Sequence, residues 1–232
     1  MRGGRGGEES VGATRTGPTA LLCMGLWIMT LCAGCGGPPP LDKSLLTGEP
    51  CEPPCWQGFV PGASTEDQII DYLSDSDYVA SHYRDTVGGE TIIWWQSSLS
   101  GRDQGTSNAF GIRKGVLSSM VVSLDYELTL DQLLAKYGPP EKLWVQWSAG
   151  GSAVVLVNLY YPSQGFIPQV ELEPSNGYHE LTAQDTVRRV WYFPPTTLEE
   201  LANLGSSIPF PPREYVDTDV RDWAGYGRIR VR

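Results

Sequence analysis

A six-residue pattern recurs in this chain at a fixed offset, and the repeat narrows the folds open to it. Thr65-Glu66-Asp67-Gln68-Ile69-Ile70 returns 64 positions later as Thr129-Leu130-Asp131-Gln132-Leu133-Leu134. A shorter echo stands at Thr197-Leu198-Glu199-Glu200-Leu201. Each copy reads as a helix start. The Thr oxygen accepts from an amide of the first turn, and Gln or Glu three residues on reaches back to the cap amide. The acidic residue in the first turn suits the helix dipole. Ile69, Ile70 and Leu73 share one helical face in the first copy, as do Leu130, Leu133, Leu134 and Tyr137 in the second. Gly138-Pro139-Pro140 stops the second helix and Gly205 the third.

Segments rich in Val, Ile, Tyr and Trp follow the first two helices, broken by Gly, Ser and Pro. After the first they are 78–83, 91–96, 108–114 and 116–124; after the second, 142–147, 153–161, 165–172 and 187–193. The expected fold is α+β: two tandem modules, each a helix packed on an antiparallel sheet, over 57–127 and 128–195. A closing third short helix and an irregular tail occupy 196–232.

The aromatics sharpen this expectation. Trp94-Trp95, Tyr160-Tyr161 and Trp191-Tyr192-Phe193 are adjacent within strands, and Trp144 and Trp147 are three apart. Neighbours on a strand point to opposite faces, so both faces of these sheets carry large rings. One layer of helix covers one face. Either the other face packs against the sister module, or it is a partly open aromatic surface for a partner. In the second case the candidate surface residues are Trp94, Trp95, Trp144, Trp147 and Trp191.

Residues 1–34 have the character of a signal peptide. Arg2, Arg5 and Arg15 lie in a Gly-rich leader, diluted by Glu8 and Glu9. The apolar run Ala20–Ala33 is 14 residues long. A spanning helix needs about 20, so the run fits a signal-peptide core; the competing reading is a short uncleaved anchor. Leu31-Cys32-Ala33-Gly34-Cys35 resembles a bacterial lipobox, with Cys32 where Leu is usual. That resemblance implies acylation of Cys35 and a membrane-anchored, extracytoplasmic protein. Residues 35–56 then form the lipidated Cys and a Pro-rich tether, in which six prolines between Pro38 and Pro54 hold Gly36–Pro54 extended.

Without the leader, 14 basic and 25 acidic side chains remain, a net charge of −11. So acidic a surface repels phosphate backbones and anionic headgroups, which disfavours nucleic acid as a partner. Of the five cysteines, Cys51 and Cys55 are left after the leader and Cys35. In an oxidising compartment such a pair reads as a disulfide rather than free thiols.

The run Pro53-Pro54-Cys55-Trp56-Gln57-Gly58, followed by Pro61-Gly62 and the Ser64-Thr65 cap, resembles a group of uncharacterised bacterial envelope lipoproteins. There a similar Cys-Trp-Gln-Gly run leads into a first helix. The Leu128-Thr129-Leu130 start and the Tyr137-Gly138-Pro139-Pro140 stop are similar to the same group. The resemblance covers most of the mature chain and implies no known activity. More distantly, each module is similar to small outer-membrane assembly lipoproteins and to the tandem modules of β-lactamase inhibitor proteins. That likeness is architectural and implies binding rather than catalysis.

Chemistry has little to hold in this sequence. The two histidines, His82 and His179, lie in different repeats, the first on a strand face and the second in a loop. Neither stands in a metal-binding pattern, and nothing in the sequence supplies the nucleophile–base partner that catalysis needs. No Gly-x-Ser-x-Gly elbow is present, and Gly101 and Gly105 flank a polar loop without a phosphate-binding Lys. Asp75-Ser76-Asp77 lacks the Gly and distal Glu of a calcium loop. Glu171 and Glu173 read as the solvated face of an edge strand. The expectation is a non-enzymatic exported lipoprotein without metal or cofactor. It would be a cell-surface or periplasmic binding or scaffold module for an envelope protein or glycan. The alternative is an envelope hydrolase or glycan-active enzyme with no recognisable motif.

Overall fold

A computed structural model describes residues 42–99, 108–148, 154–173, 178–201, 209, 211 and 219–230. The leader, Cys35, the loop with Gly101 and Gly105, and the expected helix stop at Gly205 lie outside the described residues. Those described belong to one compact unit, Pro40–Arg232.

The fold is mixed α+β and mostly antiparallel sheet. Its helices are α1 (Ser44–Thr47), α2 (Glu66–Asp75), α3 (Leu130–Tyr137) and α4 (Leu198–Leu201). The strands of the first half are β1 (Val79–Val87), β2 (Glu90–Ser97), β3 (Asn108–Arg113) and β4 (Val116–Ser123). Those after α3 are β5 (Lys142–Ser148), β6 (Val154–Tyr160), β7 (Phe166–Leu172), β8 (Tyr178–Leu181) and β9 (Val187–Tyr192). The tail adds β10 (Val220–Asp222) and β11 (Gly227–Arg230).

The repeated helix starts form as their chemistry requires. Thr65 N–H donates to Gln68 Oε1 at 2.9 Å and Thr129 N–H to Gln132 Oε1 at 3.0 Å, with the reciprocal bonds present. Thr197 and Glu200 repeat the exchange at α4. The caps also tie to later strands in matching ways. Leu117 N–H donates to the Ser64 carbonyl and Val187 N–H to the Leu128 carbonyl, each at 2.8 Å.

Nine strands join in one sheet, ordered β1-β2-β3-β4-β9-β7-β6-β5-β10, with β8 and β11 in a separate pair. The two halves meet edge to edge through β4 and β9, where Met120, Val121, Val122 and Ser123 oppose Tyr192, Trp191, Val190 and Arg189. The second face of each half is therefore not buried against the other half. Pairing two otherwise open edges satisfies their backbone groups and continues a single core along one face. That core holds Ile69 and Leu73 of α2, Leu130 and Leu133 of α3, and the inward rows Ile93, Trp95, Phe110, Val157, Val190 and Tyr192.

The stretch expected to be a free tether is partly folded. Leu45 is 1% exposed and belongs to the core. Lys136 Nζ stands 3.1 Å from Glu52 Oε1, and the Tyr137 hydroxyl lies 3.1 Å from the Leu45 carbonyl and 3.0 Å from Glu52 Oε2. The stretch between Pro40 and Pro50 has no proline and forms α1 rather than staying extended, and Leu45 and Trp56 are apolar enough to be drawn inside. Cys51 and Cys55 are disulfide-bonded within this strap. Gly165 (φ +75°) lets it close on the sheet, since a Cβ there would fall 2.4 Å from the Phe193 carbonyl oxygen and 2.9 Å from Pro54 Cβ.

The tail differs from the expected irregular coil. β10 extends the sheet beside β5, and β11 pairs with β8. Trp223 and Ile229 pack on the core. His179, expected in a loop, is buried on β8. Glu171 and Glu173 are exposed, but β7 is an interior strand of the sheet rather than an edge.

Candidate functional site

Strand register assigns each ring to a face. Trp95, named as a surface candidate, is 1% exposed and lies 5.3 Å from the Trp56 ring in the core. Its neighbour Trp94 faces the other way. There Tyr83, Trp94, Ala109, Val121, Trp191 and Ile167 oppose one another in turn across β1, β2, β3, β4, β9 and β7. They form one continuous row on the outer face, away from the core helices.

The row is covered at one end and open at the other. Trp191 is only 8% exposed, packed with Tyr160, Ile167, Phe193 and Leu201, with Leu198 of α4 against them. A turn of helix after β9 thus shields what sequence reasoning left as surface. At the other end Tyr83 is 62% exposed and stacks on half-buried Trp94, centroids 6.5 Å apart at 24°.

A polar row lies beside it: Ser123, Arg189, Gln169, Asn158 and Trp144 are opposed in turn. Gln169 Nε2 donates to Asn158 Oδ1 at 2.9 Å, and both side chains are buried. The Arg189 guanidinium sits 5.7 Å from the Trp191 ring centroid. Burial lowers its pKa, and the Glu171 charge opposes that shift. Among the described residues the buried Arg189 Nε, Asn158 Nδ2 and Ser123 Oγ have no hydrogen-bond partner.

The five candidate tryptophans therefore do not make one surface. Trp94 and Trp144 share the outer face but stand six strand spacings apart, about 29 Å. Trp147, 47% exposed, opposes Val155 on the core side of the sheet at the end of β5.

A second polar group, unforeseen in the sequence, lies under the strap. Asp42 is buried and accepts from Ser44 N–H at 2.9 Å. Burial raises its pKa, and the bonds from Ser44 counter this. The Tyr126 and Tyr192 hydroxyls are shifted upward by burial and by the Asp42 charge. Close by, Tyr78 Oη and Ser97 Oγ donate to Asp125 Oδ2 at 2.6 and 2.7 Å. The one sequence signal was the Asp42-Lys43-Ser44 spacing, a local side-chain turn that any surface loop could carry. This arrangement fastens the strap; its groups face the interior.

His82 is exposed on β1, and His179 is buried in the other sheet. Among the described residues no group of three or more His, Cys, Asp or Glu could hold a metal ion, and no helix is long and apolar enough to cross a membrane. Compared with the known protein families, the curated proteins and the solved structures, the chain matches none.

Proposed function

We propose that this chain is an exported lipoprotein, anchored through Cys35, whose folded part is a non-enzymatic binding or scaffold module facing an envelope protein or glycan. The observation that carries the reading is the open Tyr83–Trp94 stack on the outer face. A ring left this exposed forfeits about 1.5–3 kcal/mol of burial, by analogy with other large apolar side chains, and a partner recovers it. The reading also takes the two halves as tandem helix-plus-sheet modules fused at β4 and β9. The matched capping boxes and the matched Ser64–Leu117 and Leu128–Val187 bonds support it. It places the chain beside the envelope lipoproteins that its Pro-Pro-Cys-Trp-Gln-Gly run resembles.

The test has two arms. Radiolabelled palmitate should enter the wild-type chain and not Cys35→Ser; equal labelling ends the anchor reading. In membranes, a cross-linked partner should be lost with Trp94→Ala and kept with Trp147→Ala. A partner held equally by both variants ends the outer-face reading.

A further inference from the structure

β1 is a terminal strand of the large sheet. It pairs with β2 from Val79 to Val87, and among the described residues its other edge carries no strand. Every residue from Ala80 to Val87 is exposed. An open edge of unpaired N–H and C=O groups is a template for another strand. The usual protections are sparse here. β1 has nine residues and no proline, and its one irregularity is at its start, between Val79 and Ser81. The opposite edge, β10, has three residues and an ion pair between Lys142 and Asp222. Of the charges on β1, Arg84 is already paired with Glu66 of α2 at 2.8 Å.

The strand is also complementary to itself. Its midpoint is Tyr83, so antiparallel pairing about a two-fold at Tyr83 engages its whole length. Ser81 then opposes Asp85 of the second copy and can donate to its carboxylate. His82 opposes Arg84, whose guanidinium is already paired with Glu66 of its own copy. Ala80 opposes Thr86, and Val79 opposes Val87. No like charges meet, and opposed residues differ by an even number, so outer face continues into outer face. A two-fold at Arg84 or Asp85 would instead set identical charges against each other. At Tyr83 the axis joins two exposed rings as a cross-strand aromatic pair and runs the row Val121, Ala109, Trp94 and Tyr83 on into the second copy.

We propose that β1 is a self-association edge: two copies pair antiparallel through β1 about Tyr83, fusing their sheets. The binding face of the fused pair is then doubled rather than blocked. This does not depend on the lipid or the glycan.

Disulfide trapping in the full chain tests it. Whole cells expressing Tyr83→Cys, treated with a mild oxidant, should give a band of doubled mass on a non-reducing gel, beyond any seen for wild type. Opposed Cβ atoms lie about 4.5–5.5 Å apart, near the span a disulfide closes. Arg84→Cys should link poorly with itself. Ser81→Cys co-expressed with Asp85→Cys should link as a mixed pair. Tyr83→Lys, which puts two cations on the axis, should shift the detergent-purified chain from dimer to monomer by light scattering with its circular dichroism unchanged. Monomeric wild type, linkage at 84 as strong as at 83, or linkage to a band of any other mass overturns the proposal. Should Tyr83→Lys fail to fold, the cysteine series decides alone.

Discussion

Leu45→Ala tests whether the segment after the proposed anchor is tether or fold. A free tether would not register the change. In the structure Leu45 is almost fully buried within the core that includes Trp56 and Leu133. The substitution deletes three carbons, about 2.4 kcal/mol at ~0.8 per buried methylene. The void left behind brings the cost to roughly 3–5 kcal/mol. For a domain of this size each kcal/mol lowers the melting temperature by about 2–4 °C. A drop of at least ~6 °C is therefore expected. Urea unfolding followed by tryptophan fluorescence, with the slope unchanged, gives the free energy directly. Tyr137→Phe removes the hydroxyl that reaches the Leu45 carbonyl and Glu52 and should cost about 1 kcal/mol. The two changes touch one contact, so their double mutant should depart from additivity. A loss below ~0.5 kcal/mol for Leu45→Ala, the range of ordinary surface changes, would refute the docked strap.

Thr65→Ala and Thr129→Ala should each cost about 1 kcal/mol through loss of a helix cap, and the two costs should add because the caps share no partner; a double mutant well short of the sum argues against independent helix starts. Asp42 titrates above its ordinary value of 3.8 because of burial, so the folded chain holds that proton more tightly than the unfolded chain. The stability contributed by neutral Asp42 is complete below 3.8 and is lost as pH rises through the folded pKa. Asp42→Asn should flatten the stability–pH curve over that acid window, and matching slopes for variant and wild type would count against the buried carboxyl. Replacing Cys51 and Cys55 by Ser opens a loop of sequence separation 4, whose closure entropy is small, so the loss should stay at or below ~2 kcal/mol; a larger loss in chemical denaturation would mean the bond does more than close that loop.

Local rules made much of this protein legible in its sequence. The two capping boxes, the stop at Gly138 and most of the strand runs follow from side-chain chemistry within a few residues, and they stand where the sequence puts them. The pairing of Cys51 with Cys55 is equally local. Other features depended on residues far along the chain. Alternation says that Trp94 and Trp95 face opposite ways, but only the packing of Trp95 against Trp56 and Phe110 says which of them is inside. Trp191 is covered because α4 folds back over the outer face, and nothing within β9 announces that. β10 and β11 are too short to show a pattern and exist through partners at Leu143 and His179. The strap reads as tether because six prolines favour an extended chain, yet it holds α1, and Leu45 is buried by a core assembled from α2, α3 and the sheet. Sequence patterning settles the capped helices and the longer strands, because capping and alternation are short-range. Edge pairing and the burial of particular rings minimise exposed backbone and apolar surface over the whole chain, so they are decided only when distant segments meet.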